Sequence, residues 1–271
     1  MTRSTLIKLA LLAVTAVGLS AETILVSGSD SNLYSLNPTT GALTLVGAMG
    51  VEMFDIAMTP GGALYGVSSF TGSTTSSLYS ISTSTGAATL LGNTGVNLNA
   101  FDIGLDGTAY AAGGPTGNTF YTLNLGTHAA SAVGTGTYIS AGDLEFIGNT
   151  LYLSGLAPDQ LYTINTGTGA GTPTSSAIGF TNVYGLAYLA STSTFYGIAN
   201  PTATSAEVIT LDQSTGAGSG PVAITLGGTA VAFNITGAAV ADTPEPATFG
   251  IVALGLAGVF RLVSKRRKLS A

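Results

Sequence analysis

A short strand-like pattern recurs five times along the middle of the chain. Apolar and polar side chains alternate in each copy, and this period of two is typical of a half-buried strand. A turn containing a threonine follows each copy, and the five threonines lie 41 to 47 residues apart. The five copies occupy residues 33–36, 78–81, 120–123, 161–164 and 208–211.

Other strand patterns repeat in the same register. A second strand contains Tyr65, Tyr110, Tyr152 or Tyr196. A third precedes it at residues 54–57, 101–104, 142–145 and 184–187, and a fourth is short and apolar, as at 44–47. Four strands in a unit of about 44 residues predict an all-β fold, a five-bladed β-propeller. A six-bladed ring with one degenerate blade and a β-sandwich are the competing interpretations.

The two ends of the repeat region complement each other. Residues 22–46 supply three strands of a blade but lack the first, and residues 230–235 supply a first strand without successors. We therefore expect the N-terminal strands to pair with the C-terminal strand, which removes two free sheet edges. This places the propeller at residues 22–236 and a linker at 237–246.

The N-terminus has the order of a secretory signal peptide. Arg3 and Lys8 precede an apolar run, 9–19, that ends in Ser20 and Ala21. A charged segment, an apolar core and small residues at a cleavage site are the three parts of such a signal. We assign residues 1–21 to it; a retained N-terminal anchor is the alternative.

The C-terminus combines three elements in a fixed order. Pro244, Glu245 and Pro246 precede an apolar segment, 247–264, which we predict to be a transmembrane helix. A basic tail, 265–271, follows and contains Arg266 and Arg267. Positive charge beside an apolar span tends to stay in the cytoplasm, so the propeller is expected outside it. A permanent membrane anchor is the alternative.

This tail resembles the PEP-CTERM sorting signals of Gram-negative bacteria that make extracellular polysaccharide. The resemblance implies that Pro244, Glu245, Pro246, Arg266 and Arg267 form a sorting motif read by an exosortase, a membrane enzyme that cuts near the motif. It also implies export, with the protein held at the inner membrane and later released or transferred to the cell surface. The middle of the chain resembles bacterial propellers in which a Leu-Tyr strand leads into a Thr-Gly turn.

The charge distribution excludes several functions. All seven Lys and Arg residues lie at or before Lys8 or at or after Arg261, while the 13 acidic residues lie between them. Nucleic-acid binding needs cations to replace phosphate counterions, so we exclude it. Without cysteine and with one histidine, a Cys- or His-based metal site is not expected either.

Three aspartates appear at one equivalent point of the predicted inner strands. They are Asp55, Asp102 and Asp143, and Glu145 follows two residues after the last. The leading interpretation is structural, with each carboxylate accepting backbone N–H groups in turns between blades. A Ca²⁺ site formed by these residues and nearby carbonyls is a second interpretation, because Ca²⁺ prefers oxygen ligands.

Paired carboxylates also leave open a hydrolase of the glycosidase or lactonase type at the channel. Two absences weigh against it: the chain has no tryptophan to stack a sugar, and the repeats have no cation. His128 takes the place of a turn glycine and is interpreted as a turn residue. Tyr138, Tyr184 and Tyr188 are the candidates for an exposed surface.

The combined prediction is an exported, exosortase-processed surface or matrix protein. We expect a non-catalytic binding or structural role, associated with extracellular polysaccharide, with no cofactor and no catalytic residues.

Overall fold

The computed structural model describes residues 22–68, 74–113 and 116–241. These residues form 22 strands. In chain order the strands are β1 (Thr23–Gly28), β2 (Asn32–Leu36), β3 (Ala42–Ala48), β4 (Met53–Met58), β5 (Leu64–Ser68), β6 (Ser77–Ile81), β7 (Ala88–Asn93), β8 (Leu98–Ile103), β9 (Ala109–Gly113), β10 (Thr119–Leu123), β11 (Ala130–Thr135), β12 (Ser140–Ile147), β13 (Thr150–Gly155), β14 (Gln160–Ile164), β15 (Gly171–Ala177), β16 (Val183–Leu189), β17 (Thr194–Thr202), β18 (Ser205–Leu211), β19 (Gly218–Ala223), β20 (Thr225–Leu226), β21 (Thr229–Ala230) and β22 (Ile235–Ala241).

The strands form five sheets arranged as the blades of a propeller, and all pairs are antiparallel except β20, which runs parallel to β3 at the outer edge of one sheet. Four blades are consecutive in sequence: β4–β7, β8–β11, β12–β15 and β16–β19. The fifth combines β22 with β1, β2 and β3. The prediction of an all-β, five-bladed propeller is therefore confirmed.

The fifth blade closes the ring by pairing the two ends of the described chain. Strand β22 lies antiparallel to β1, with Ile24 opposite Val240 and Leu25 opposite Ala239. Closure by N- and C-terminal strands was predicted, but the closing strand starts where the predicted one ended. Residues 237–241 belong to β22 and not to a linker, because their small side chains fit the crowded inner position of the blade.

Each interface between neighbouring blades contains its own apolar cluster. The first residue of each repeated strand is buried at such an interface, with 0–2% of its surface exposed; these residues are Leu33, Leu78, Phe120, Leu161 and Val208. The five clusters of the described residues each draw on two blades. A blade therefore buries its two faces only against its neighbours, which explains why the unit must be repeated.

The threonine turns fasten each blade to the preceding one. In four turns a glycine adopts positive φ (69°, 74°, 72° and 82° at Gly41, Gly86, Gly169 and Gly216), and His128 replaces it in the fifth with φ of 66°. Each turn contacts the outer strand of the preceding blade. A side chain on Gly47 would meet Thr85 O at 2.0 Å, and one on Gly134 would meet Thr168 O at 2.1 Å.

The described residues contain no helix that is long and apolar enough to cross a membrane. The predicted signal peptide, 1–21, and the predicted helix and basic tail, 247–271, lie outside the described residues.

Replacing Gly237 by alanine should destabilise the ring closure. The added Cβ would lie 2.5 Å from Asp55 Oδ1 and 2.6 Å from Asp55 Cα, so β22 must move away from β4. We expect a loss of roughly 1–3 kcal/mol in the free energy of unfolding, as for other overpacked sites. Chemical denaturation of the full-length chain measures it.

The matched control is Gly61→Ala, whose Cβ would meet only Thr59 Oγ1, at 3.9 Å. Its free energy of unfolding should stay within about 1 kcal/mol of the parent value. Equal stability of the two variants would contradict the close approach of β22 and β4.

Candidate functional site

A cavity of about 320 Å³ lies on the propeller axis, where the inner strands begin. Each of the five inner strands contributes a lining residue, and these five are Phe54, Asn99, Gly142, Tyr184 and Thr236. The neighbouring loops add Ser29, Glu52, Asn97 and Asn234. We call this space the mouth cavity.

The inner strands are irregular at the mouth cavity. The pairing register shifts between Met53 and Asp55 in β4, and between Leu98 and Ala100 in β8. Phe54 and Asn99 lie at these bulges, where an extra residue is left unpaired and the strand bends. The bulges allow at least one residue of each inner strand to line the cavity, although the residue types differ from blade to blade.

Below the mouth cavity, the carboxyl side chains occupy two successive levels of the inner strands. The upper tier comprises Asp55 and Asp143, with Ala100, Gly185 and Gly237 at the matching positions. The lower tier comprises Asp102 and Glu145, which pair with Tyr110 and Tyr152; the matching positions are Ala57, Ala187 and Ala239.

This register corrects the predicted equivalence of the three aspartates. Asp55 pairs with Val67, two residues beyond the repeated tyrosine of β5, whereas Asp102 pairs with the tyrosine of β9 itself. Asp102 is therefore structurally equivalent to Glu145, and Asp55 to Asp143. The sequence motifs look alike, but the bulges and the hairpin loops determine the register.

The upper-tier carboxylates bind the backbone of the next blade. Phe101 N–H donates to Asp55 Oδ2 over 2.7 Å, and Leu186 N–H donates to Asp143 Oδ2. Ile56 N–H donates to Asp55 Oδ1 over 2.8 Å, and Ala238 N–H, from the closing blade, donates to Asp143 Oδ2 over 3.3 Å. Asp143 thus contacts two other inner strands at once.

The lower tier repeats this arrangement one level further along. Phe146 N–H donates to Asp102 Oδ2 over 2.7 Å, and Tyr188 N–H donates to Glu145 Oε1 over 2.7 Å. In both tiers the donor from the next blade lies in its inner strand and not in a turn between blades, as the structural interpretation had supposed. The side chains therefore crosslink blades around the axis.

Burial raises the pKa of all four carboxyl groups. The pKa of Asp102 rises to about 7, and those of Asp55, Asp143 and Glu145 rise well above their ordinary values. Desolvation is the main cause in each case, and the backbone N–H donors offset it in part. Negative charge on Asp102 and Asp143 raises the pKa of Glu145 further.

Asp55 and Asp143 affect each other's pKa across the axis. Interaction with Asp143 lowers the pKa of Asp55 slightly, whereas negative charge on Asp55 adds to desolvation in raising the pKa of Asp143. Asp143 Oδ1 is buried and has no hydrogen-bond partner among the described residues.

The metal hypothesis depends on three or more ligands reaching one point. Within residues 22–68, 74–113 and 116–241, no group of three or more His, Cys, Asp or Glu side chains could hold a metal ion. The tier arrangement explains why the four predicted ligands do not meet at one point. Asp102 and Glu145 lie one level below Asp55 and Asp143.

The predicted exposed tyrosines have different environments. Tyr138 is 1% exposed and donates to Gly169 O over 3.3 Å, so its assignment to the surface is wrong. Tyr184 lines the mouth cavity, and its hydroxyl donates to Asn182 Oδ1 over 3.0 Å. Tyr188 is partly buried against an apolar cluster.

The chain is similar to solved structures, and one of them, with a TM-score above 0.5, shares its fold. A chain from a crystal structure of a Nidogen/Laminin complex is 9% identical, with a TM-score of 0.54; the match covers 82% of this chain and 98% of that one. A protein of unknown function from Bacteroides caccae is 15% identical, with a TM-score of 0.46, covering 79% of this chain and 77% of that one. No curated protein matches the chain.

The remaining comparison concerns the C-terminus, where the model of the PEP-CTERM protein-sorting motif matches residues 242–267. The chain carries a PEP-CTERM sorting motif. The predicted resemblance is thereby confirmed, and the match includes Pro244, Glu245, Pro246, Arg266 and Arg267. A PEP-CTERM motif implies export, a membrane-anchored sorting signal and processing by an exosortase.

The buried carboxyls should make the propeller less stable as pH rises. Their pKa values are raised in the folded state. Their contribution to the free energy of unfolding is therefore full below the unfolded-state pKa and is lost as pH rises through the folded-state pKa. For Asp102, the rise in pKa from 3.8 to about 7 corresponds to a loss of roughly 4 kcal/mol in the free energy of unfolding between pH 4 and pH 8. Denaturant unfolding across this range measures it.

The variant Asp102→Asn cannot ionise and should flatten this decline, whatever its stability at pH 4. Asp106→Asn is the control, because Asp106 is fully exposed and its pKa is lowered by hydrogen bonding to the Thr108 backbone. A decline of equal slope in the Asp102→Asn variant and the parent would refute the assignment.

Proposed function

We propose that this protein is an exported, exosortase-processed propeller of the cell surface or extracellular matrix, with a non-catalytic binding or structural role associated with polysaccharide. The sorting motif at residues 242–267 carries the proposal. A propeller supports a binding role because its faces present many loops on a rigid frame. The association with polysaccharide rests on the motif's resemblance and not on residues of the propeller.

The proposed topology uses both ends of the chain. Residues 1–21 act as the signal peptide, and 247–264 span the inner membrane as a helix. The basic tail, 265–271, stays in the cytoplasm by the positive-inside rule, so that the propeller lies outside. Cleavage near Pro244–Pro246 then separates the propeller from its anchor.

The buried carboxyls support the non-catalytic role. A general acid or base must reach the substrate, and a hydrolase needs one carboxyl on each side of the reacting bond. Asp55, Asp102 and Asp143 are buried and Glu145 is partly buried, and all four accept backbone N–H groups of neighbouring blades. None of the four is among the residues that line the mouth cavity. The glycosidase or lactonase alternative has no supporting observation.

Replacing Glu245 by glutamine should block processing. The exosortase then no longer meets the carboxylate of the motif, so uncleaved precursor should collect in the membrane fraction. Immunoblots of membrane, surface and medium fractions of the producing cells measure the distribution. Asp106→Asn, which removes one exposed carboxylate of the propeller outside residues 242–267, is the control and should be released normally. Normal release of the Glu245→Gln variant would contradict the proposal.

A further inference from the structure

We propose that the mouth cavity is a binding site for the end or a branch of an uncharged saccharide chain. This inference rests on the proposed association with polysaccharide and assigns it to a specific site. The cavity volume of about 320 Å³ is at the small end of the usual range for ligand sites, roughly 300–1,000 Å³. The upper-tier side chains Asp55 and Asp143, one level further along the inner strands, are fully buried, so we expect the ligand to enter end-on from the loop side.

Unpaired polar atoms in the cavity wall are the first observation. Asn99 Oδ1 and Asn234 Oδ1 are buried, and neither accepts a hydrogen bond among the described residues. Both residues line the cavity, and Asn99 is anchored because its Nδ2 donates to Ser140 O over 3.0 Å. Unpaired buried acceptors are costly, and the hydroxyl groups of a sugar are suitable donors for them.

The chemical character of the wall is the second observation. Asn97, Ser29 and Thr236 supply amide and hydroxyl groups, and Phe54 and Tyr184 supply two aromatic rings. The face of an aromatic ring carries partial negative charge and attracts the weakly positive C–H groups of a sugar ring. Few polar groups together with aromatic rings are the usual composition of a specific small-molecule site.

Charge then selects among saccharides. The sequence contains no Lys or Arg between Lys8 and Arg261, so the cavity offers no cation to an acidic sugar. Glu52 is the one acidic residue among those lining the cavity. A wall whose hydrogen-bonding groups are uncharged, apart from Glu52, favours an uncharged ligand over an acidic or a basic one.

The test measures binding of the full-length chain, purified in detergent, to four immobilised polysaccharides. These are neutral dextran, acidic alginate, basic chitosan and the extracellular polysaccharide of the producing bacterium. Ala141→Phe adds a ring to the cavity wall and should weaken binding to the neutral and the native polysaccharide at least tenfold. Leu105→Phe is the matched control: Leu105 is 77% exposed at the opposite end of the inner strand β8.

Asn97→Ala is the second variant, and it decides the outcome if Ala141→Phe lowers the melting temperature. It removes an amide from a loop of the wall and should also weaken binding, with an unchanged melting temperature. Retention on the native polysaccharide that neither variant weakens would overturn the mouth-cavity inference and leave the proposed function standing. A preference for alginate or chitosan would overturn the uncharged class. If the parent chain is not retained on the native polysaccharide, the proposed function itself fails.

Discussion

The ladder between β22 and β1 joins residues that are more than 200 positions apart, as the contact between Ser27 Oγ and Thr236 Oγ1, 209 residues apart, illustrates. Closing so long a loop costs conformational entropy. The apolar burial between blades that offsets this cost is complete only when the whole ring is assembled. Each apolar cluster lies between two blades, so an open chain of four blades would leave two faces exposed. Once the two ends pair, every blade has a neighbour on both faces.

Ring closure also sets the chemistry of the axis. Five inner strands converge there, and small residues such as Gly185 and Gly237 let their backbones approach. Inner strands leave backbone N–H groups facing the axis, where no strand pairs with them. Asp55, Asp102, Asp143 and Glu145 accept such groups, and they do so in a domain whose sequence supplies no cation. Because no cation offsets their burial, the pKa values of these carboxyls are raised, and this makes the stability of the axis sensitive to alkaline pH.

The sorting motif and the propeller occupy separate stretches of the chain. The motif at residues 242–267 begins directly after β22, the strand that closes the ring. A processing enzyme that cuts there would remove the tail without breaking the ladder to β1. The mouth cavity depends on the same closure, because Thr236 of β22 is one of the five inner-strand residues in its wall.

The repeat of 41–47 residues, the Thr-Gly turns and the complementary ends determined the number of blades, the closure and the left-handed turn at His128. The sorting motif could also be predicted from the sequence, because it is a linear signal. Such features are local or periodic, so the order of residues is enough to find them. The hairpin loops carried one more signal: Asp55 lies three residues before the end of β4, and Asp102 lies one before the end of β8. Counting back from those loops would have separated the two tiers.

The tertiary structure alone decided the depth at which each carboxyl lies, which blade it bonds to and what lines the cavity. A bulge moves a residue by one position without leaving a mark in composition, and the wall residues Phe54, Asn99, Gly142, Tyr184 and Thr236 share no residue type. The wall came together only because five bent strands met around one axis. Physically, a site made from one residue of each repeat depends on distances across the ring, and those distances are not encoded in any segment of the chain.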